Sequence, residues 1–237
     1  MEKIELTEIK KGKTGFGLLV ENDGYVSLGL TKTNTQLKES FENSEEWYVP
    51  KPFIVDCILQ KYGVKNANGR IYPEEILKRE VEKYQQLIDE RMALGECNHP
   101  DSTTIDLGRI SHNIIEMHWE GSTLVGKLEL NISEGFRKSG ICSTYGDQAA
   151  MLLLNGYKIG ISSRAIGSVE SKLGVLVVGN DLELVGWDLV ATPSTPGAYL
   201  SVHGKEELQQ YVESDTSKEK KSKLNEKLDK IEKLMFG

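Results

Sequence analysis

The chain has 237 residues, is 38% hydrophobic and 27% charged, and carries Lys+Arg 29 against Asp+Glu 36, for a formal net charge of -7. At about 100 to 200 residues per domain, that length and apolar content predict one domain with appendages. The acidic balance argues against a generic nucleic-acid binder, and no stretch approaches the roughly 18 apolar residues of a membrane span.

The N-terminus, MEKIELTEIKKGKTG, has no apolar core of the signal-peptide kind, so the chain is expected to stay in the compartment where it is made. Alternation in GFGLLVENDGYVSLGL, with Asp23 and Gly24 as a turn, predicts a short hairpin, and TNTQLKESFENSEEW reads as an exposed or helical connector. FIVDCILQKYGV is a strand pattern broken by Asn66, Asn68 and Gly69. Pro73 then opens a helix running to about Glu90, whose Glu74 and Glu75 suit the positive end of the helix dipole. After a polar loop come ISHNIIEMHW and TLVGKLEL, two strands joined by a Glu-Gly-Ser turn. YGDQAAMLLLNGY is helix-like and closed by Gly156; KIGISSRAIGSVE and GVLVVGNDLELVGWDLVAT return to strand. Together these predict a largely antiparallel β core with one or two helices packed outside it.

The tail differs from the body. Residues 203–237 hold 8 Lys and 8 Asp or Glu, so they are neutral and the whole -7 lies in residues 1–202. SDTSKEKKSK is almost free of apolar side chains, whereas Leu224, Leu228, Ile231 and Met235 recur at spacings of 4, 3 and 4. We expect a flexible linker and a short amphipathic helix that needs a docking surface. The predicted organisation is therefore an N-terminal segment over 1–50, a main domain over 51–203 and this tail over 204–237.

Three polar positions interrupt the apolar segments. His99, in GECNHP, stands at a rigid loop or strand end, where an imidazole with its ordinary pKa near ~6.5 can serve as a base. GISSRAIG brackets Ser162, Ser163 and Arg164 with glycines, although it departs from the G-x-S-x-G elbow of the α/β-hydrolases. Asp188 sits in the apolar run LVGWDLVAT, where a charge needs a partner. A serine, a histidine and a carboxylate together would make an acyl-transfer site, with Asp181, Glu183 and Asp101 as rival orienters of the histidine. His112 and His118, six apart, are expected on one face of a strand, but zinc would need a further ligand. Cys57, Cys97 and Cys142 have no metal-like spacing and read as structural thiols.

Four blocks in one order, NANGRIYP, ALGECNHP, GISSRAIGSV and GWDLVATPSTPGA, resemble the prohead core proteases of large tailed bacteriophages. These are capsid maturation serine proteases related to the herpesvirus assemblin. The resemblance covers roughly residues 50–200 and implies an α+β fold with a small antiparallel β-barrel surrounded by helices, like that of assemblin. It implies Ser162 as nucleophile with Ser163 as the obvious rival, His99 as base and Asp188 as the acid, a position at which the herpesvirus relatives use a second histidine. Arg164, with Ser163 beside it, resembles the segment lining the family's oxyanion pocket; the alternative for its side chain is a salt bridge to the acidic body.

The resemblance further implies no cofactor or metal, action in the host cytoplasm inside the assembling prohead, and scaffold or core proteins and the major capsid protein as substrates. Self-association stays open, because the herpesvirus relatives are activated by dimerisation. The family cuts commonly after an aliphatic residue, any residue and glutamate, and processes itself. Matching trios end at Glu8, Glu39 and Glu226, and the first and last point to trimming of the termini. The competing expectation is a prohead core protein that has kept the barrel and lost activity.

Overall fold

Alternating and continuous apolar runs recur along the chain, and ten strands form among the described residues. A computed structural model describes residues 8–20, 49, 52–195, 198 and 200–201. The strands are β1 (Gly15–Val20), β2 (Ile54–Lys61), β3 (Arg70–Ile71), β4 (Leu94–Glu96), β5 (Ile110–Glu120), β6 (Thr123–Leu130), β7 (Gly160–Lys172), β8 (Val175–Val178), β9 (Glu183–Val190) and β10 (Leu200–Ser201). The helices are α1 (Glu74–Asp89), α2 (Glu134–Ser139) and α3 (Tyr145–Leu154), and a short 3-10 turn spans Leu107–Arg109.

The strands make two five-stranded sheets. In the first, β7 pairs antiparallel with β1 on one side; on the other, β9 takes its first half and β8 its second, and β8 also pairs with β3 in parallel. The second runs β10-β2-β6-β5-β4. The expected barrel is not there. Among the described residues the first sheet is mixed and the second wholly antiparallel, they do not close, and they meet through a single isolated parallel bridge, Cys97 to Leu189. The cause is the division of β7 between three partners together with the two-residue length of β3 and β10, which leave no continuous ladder around the structure. Alternation along a strand fixes its buried face but not its partner, so closure was beyond a reading of periodicity.

One apolar core lies between the sheets, with Leu19 from β1, Val55 and Leu59 from β2, Ile114 from β5, Leu128 from β6 and Ile161 from β7 fully buried in it. α1 forms as expected and covers this core with Leu77, Val81, Tyr84 and Ile88. Its buried Glu80 is held by Arg79 and Lys83 and accepts from the Leu184 N-H, which ties the helix to β9. α3 starts at a capping box, in which Thr144 Oγ1 accepts from the Asp147 N-H and the Asp147 carboxylate accepts from the Thr144 N-H.

Of the expected N-terminal hairpin, β1 is present and pairs with β7; its Asp23-Gly24 turn and second arm lie outside the described residues, as do the connector that follows, the C-terminal linker and helix, and Glu226. Glu8 is exposed and bridges to Leu18. No helix among the described residues is long and apolar enough to cross a membrane.

Candidate active site

The antiparallel register of β7 and β9 pairs Ser162 with Asp188, Ser163 with Trp187 and Arg164 with Gly186. Directly opposed residues in such a ladder share a face and successive residues alternate. Ser162, Arg164 and Asp188 thus lie on one face, and Ser163 lies on the other with Trp187. All four of these polar residues are buried.

The histidine comes from the turn that follows β4 of the second sheet. β4 runs close to β9 because Gly95 has no side chain: a Cβ there would sit 2.3 Å from the Trp187 carbonyl oxygen and 2.3 Å from the His112 ring. That approach lets the Glu96 N-H donate to Asp188 Oδ1 at 3.0 Å and the Asn98 N-H donate to the Leu189 carbonyl at 2.8 Å. Asn98 adopts a positive φ of 64°, which asparagine tolerates better than most residues, and the chain turns there. His99 follows directly, with its Nδ1 2.8 Å from Asp188 Oδ2 and side chains only 3% and 1% exposed. The pair joins residues 89 apart in sequence.

Arg164 completes a buried ionic cluster. Its Nη1 donates to the Ser102 carbonyl at 2.7 Å, its Nη2 donates to Glu96 Oε1 at 2.9 Å and to Asp188 Oδ1 at 3.3 Å, and its Nε lies 3.0 Å from Asp188 Oδ2. The guanidinium thus bridges the two buried acids Glu96 and Asp188. Glu96 Oε1 also accepts from the Asp106 N-H at 3.1 Å, and Oε2 is 3.5 Å from Arg109 Nε. A buried carboxylate of this kind is stable only when cations and N-H groups surround it. Glu96 was not singled out in the sequence.

The rival orienters lie elsewhere. Asp181 accepts from the Ser168 N-H and hydroxyl, Glu183 and Asp101 are exposed, and the carboxylate on His99 is that of Asp188. His99 Nε2 is buried and has no hydrogen-bond partner, so neither serine bonds to it here. The two strand histidines are separated by a bulge between Ile114 and Glu116, which inserts an extra residue and reverses the alternation beyond it. His112 is buried, with Ser111 Oγ 2.9 Å from its Nδ1, whereas His118 lies near Glu116 and Glu120 at a half-exposed position. Burial pushes His112 down to about 4, against the opposing pull of the Asp188 charge and the Trp187 carbonyl. Desolvation raises the thiols of Cys57, Cys97 and Cys142 above their ordinary range; Cys57 is buried as suits a structural cysteine, whereas Cys142 is exposed.

A family model described as prohead core protein serine protease matches residues 20–210, most of the chain and all of the site. The chain belongs to that family. Among members of this prohead protease family, the prohead core protein protease of Enterobacteria phage T4 is 32% identical over 166 residues, which are 69% of this chain and 74% of that protein. The structure of the bacteriophage T4 capsid assembly protease superposes with a TM-score of 0.53 at 28% identity, covering 59% of this chain and 82% of that one. The family match includes Glu96 on β4, His99 in the turn after it, and Ser162, Arg164 and Asp188 on the other sheet, so the ionic cluster lies wholly within the segment shared with prohead proteases.

Proposed function

We propose that this prohead protease is a serine endopeptidase that cuts scaffold and capsid proteins during prohead maturation, with Ser162 as nucleophile, His99 as base and Asp188 as its orienter. The observation that carries the proposal is the buried His99–Asp188 pair beside a serine in register with the aspartate. When the Nδ1-H donates to Asp188 Oδ2, the imidazole is held in the tautomer whose Nε2 is an acceptor. Nε2 is the atom left without a partner, and it can take the Ser162 proton as Oγ attacks a scissile carbonyl. The proton then passes to the leaving amine as the C–N bond breaks and leaves an acyl-enzyme on Ser162, and water, deprotonated by His99 in its turn, hydrolyses that ester to free the acid and the serine. Asp188 stabilises the imidazolium formed at each step.

Kinship with prohead proteases supports action inside an assembling shell in the host cytoplasm, and the trios ending at Glu8 and Glu226 are the positions we propose for self-processing. The exposed position of Glu8 favours access to the first of these. The test is cleavage of a scaffold or capsid substrate by Ser162→Ala with Ser163→Ala as its control. Loss only in the Ser162 variant is expected; loss only in the Ser163 variant would reassign the nucleophile. Mass spectrometry of the enzyme after assembly should show shortened termini, and an unchanged mass would reject self-processing.

A further inference from the structure

The Asp188 carboxylate is asked to do two things that conflict. Oδ2 faces both His99 Nδ1 at 2.8 Å and Arg164 Nε at 3.0 Å, so an arginine cation competes with the histidine for the same oxygen. A cation that close weakens the attraction of a carboxylate for an imidazolium. Glu96 offsets this. Its Oε1 takes Arg164 Nη2 at 2.9 Å, shorter than the 3.3 Å from that nitrogen to Asp188 Oδ1, and its own N-H occupies Oδ1 at 3.0 Å.

We propose that Glu96 is a positioning residue of the hydrolytic site, which shares the Arg164 charge with Asp188 and, through its N-H on Oδ1, fixes the carboxylate so that Oδ2 serves His99. The inference rests on the His99–Asp188 assignment made above and adds to it a second buried acid. The cluster then holds two carboxylates, Glu96 and Asp188, against two guanidinium groups, Arg164 and Arg109, and it gains one positive charge when His99 is protonated. The other titratable groups nearest the cluster are His112 on β5, kept neutral by burial, Tyr84 on α1, whose hydroxyl is raised by burial and by Asp188, and Cys97, raised by burial. None of these three supplies a third anion near neutral pH, and the exposed carboxylates of Asp101 and Asp106 are not among the partners of Arg164, Asp106 Oδ1 accepting instead from the Gly108 N-H. Glu96 is thus the one group in this set that can balance Arg164 apart from Asp188 itself.

The variant Glu96→Gln keeps the shape and removes the charge. An imidazolium that has lost a nearby anion releases its proton at lower pH. The acid limb of kcat/KM should therefore move down by about half a pH unit or more, with a plateau kcat lower by about tenfold. A packing role alone would lower the melting temperature and leave the limb in place, and an unmoved limb would overturn the proposal. Glu96→Asp keeps the charge but withdraws it by one methylene, and it also decides the matter if the glutamine variant does not fold. Its limb should stay where it is and its kcat should fall about fivefold through lost alignment. A wild-type kcat in Glu96→Asp would also overturn the proposal. Activity persisting in Ser162→Ala would instead reject the nucleophile itself, whereas a dead Ser162→Ala beside an unmoved Glu96→Gln limb rejects only the role of Glu96.

Discussion

Asp188 and Asp147 are both fully buried aspartates, yet they are satisfied in opposite ways. Asp147 accepts from the Ser133 N-H and hydroxyl, the Ser143 N-H and the Thr144 N-H, all uncharged donors no more than 14 residues away. Burial alone would raise its carboxyl, but those hydrogen bonds outweigh it and hold the group below its ordinary value. Asp188 is surrounded by Glu96, His99 and Arg164 from 92, 89 and 24 residues away, and its histidine retains an unpartnered nitrogen. A structural acid is saturated locally by neutral donors. An acid held for chemistry is assembled from distant segments, and its histidine keeps an acceptor free for the reaction.

That contrast can be broken most sharply by giving both residues the same substitution. Asp188→Asn should reduce kcat/KM by about 10⁴-fold, because the amide favours the wrong imidazole tautomer. Asp147→Asn should leave the kcat/KM of folded enzyme near wild type and lower unfolding stability by about 2 to 4 kcal/mol, as chemical denaturation would show. Equal effects of the two changes on activity would dissolve the distinction. Because the folded Asp147 carboxyl titrates below its unfolded value near ~3.9, its share of stability is intact above that pH and is lost as pH falls through the lower folded value.

His112 extends the comparison to a buried base. Held near 4 when folded against about 6.5 unfolded, it binds its proton more readily in the unfolded chain. Stability should fall by up to about 3 kcal/mol as pH drops from about 6.5 to about 4. His112→Leu should flatten that part of a urea-denaturation pH series, and an unchanged slope would assign the acid sensitivity elsewhere. The smallest effect is expected at the exposed Arg91–Glu129 pair, 2.7 Å apart. Arg91→Ala should cost less than about 1 kcal/mol, the scale of an ion pair in water.

Much of this was legible in the residues, for reasons that also mark where legibility stopped. Pro73 with two acids after it placed α1, the Glu-Gly-Ser turn placed the β5–β6 hairpin, and an aspartate in an apolar run demanded a partner. Those signals are local. Sheet closure depends on which strands meet, and no side chain in β7 records that it will divide itself between β1, β8 and β9. The bulge after Ile114 sent His112 and His118 to opposite faces although their spacing alone said otherwise. α2 was missed because six residues, EGFRKS, carry too little periodicity to register as a helix. Its formation rests on Ser133 Oγ accepting from the Phe136 N-H. Glu96 was missed because its partners, Asp106 and Arg109 apart, come from β7 and β9, and its sequence neighbours give no sign of burial.

The central claim is that the His99–Asp188 pair serves Ser162. It is tested most directly by treating enzyme that is actively cleaving substrate with a fluorophosphonate and mapping the adduct by mass spectrometry. The account predicts a single adduct on Ser162, absent in His99→Ala and retained in Ser163→Ala. An adduct on Ser163, or one on Ser162 that forms equally fast without His99, would contradict it.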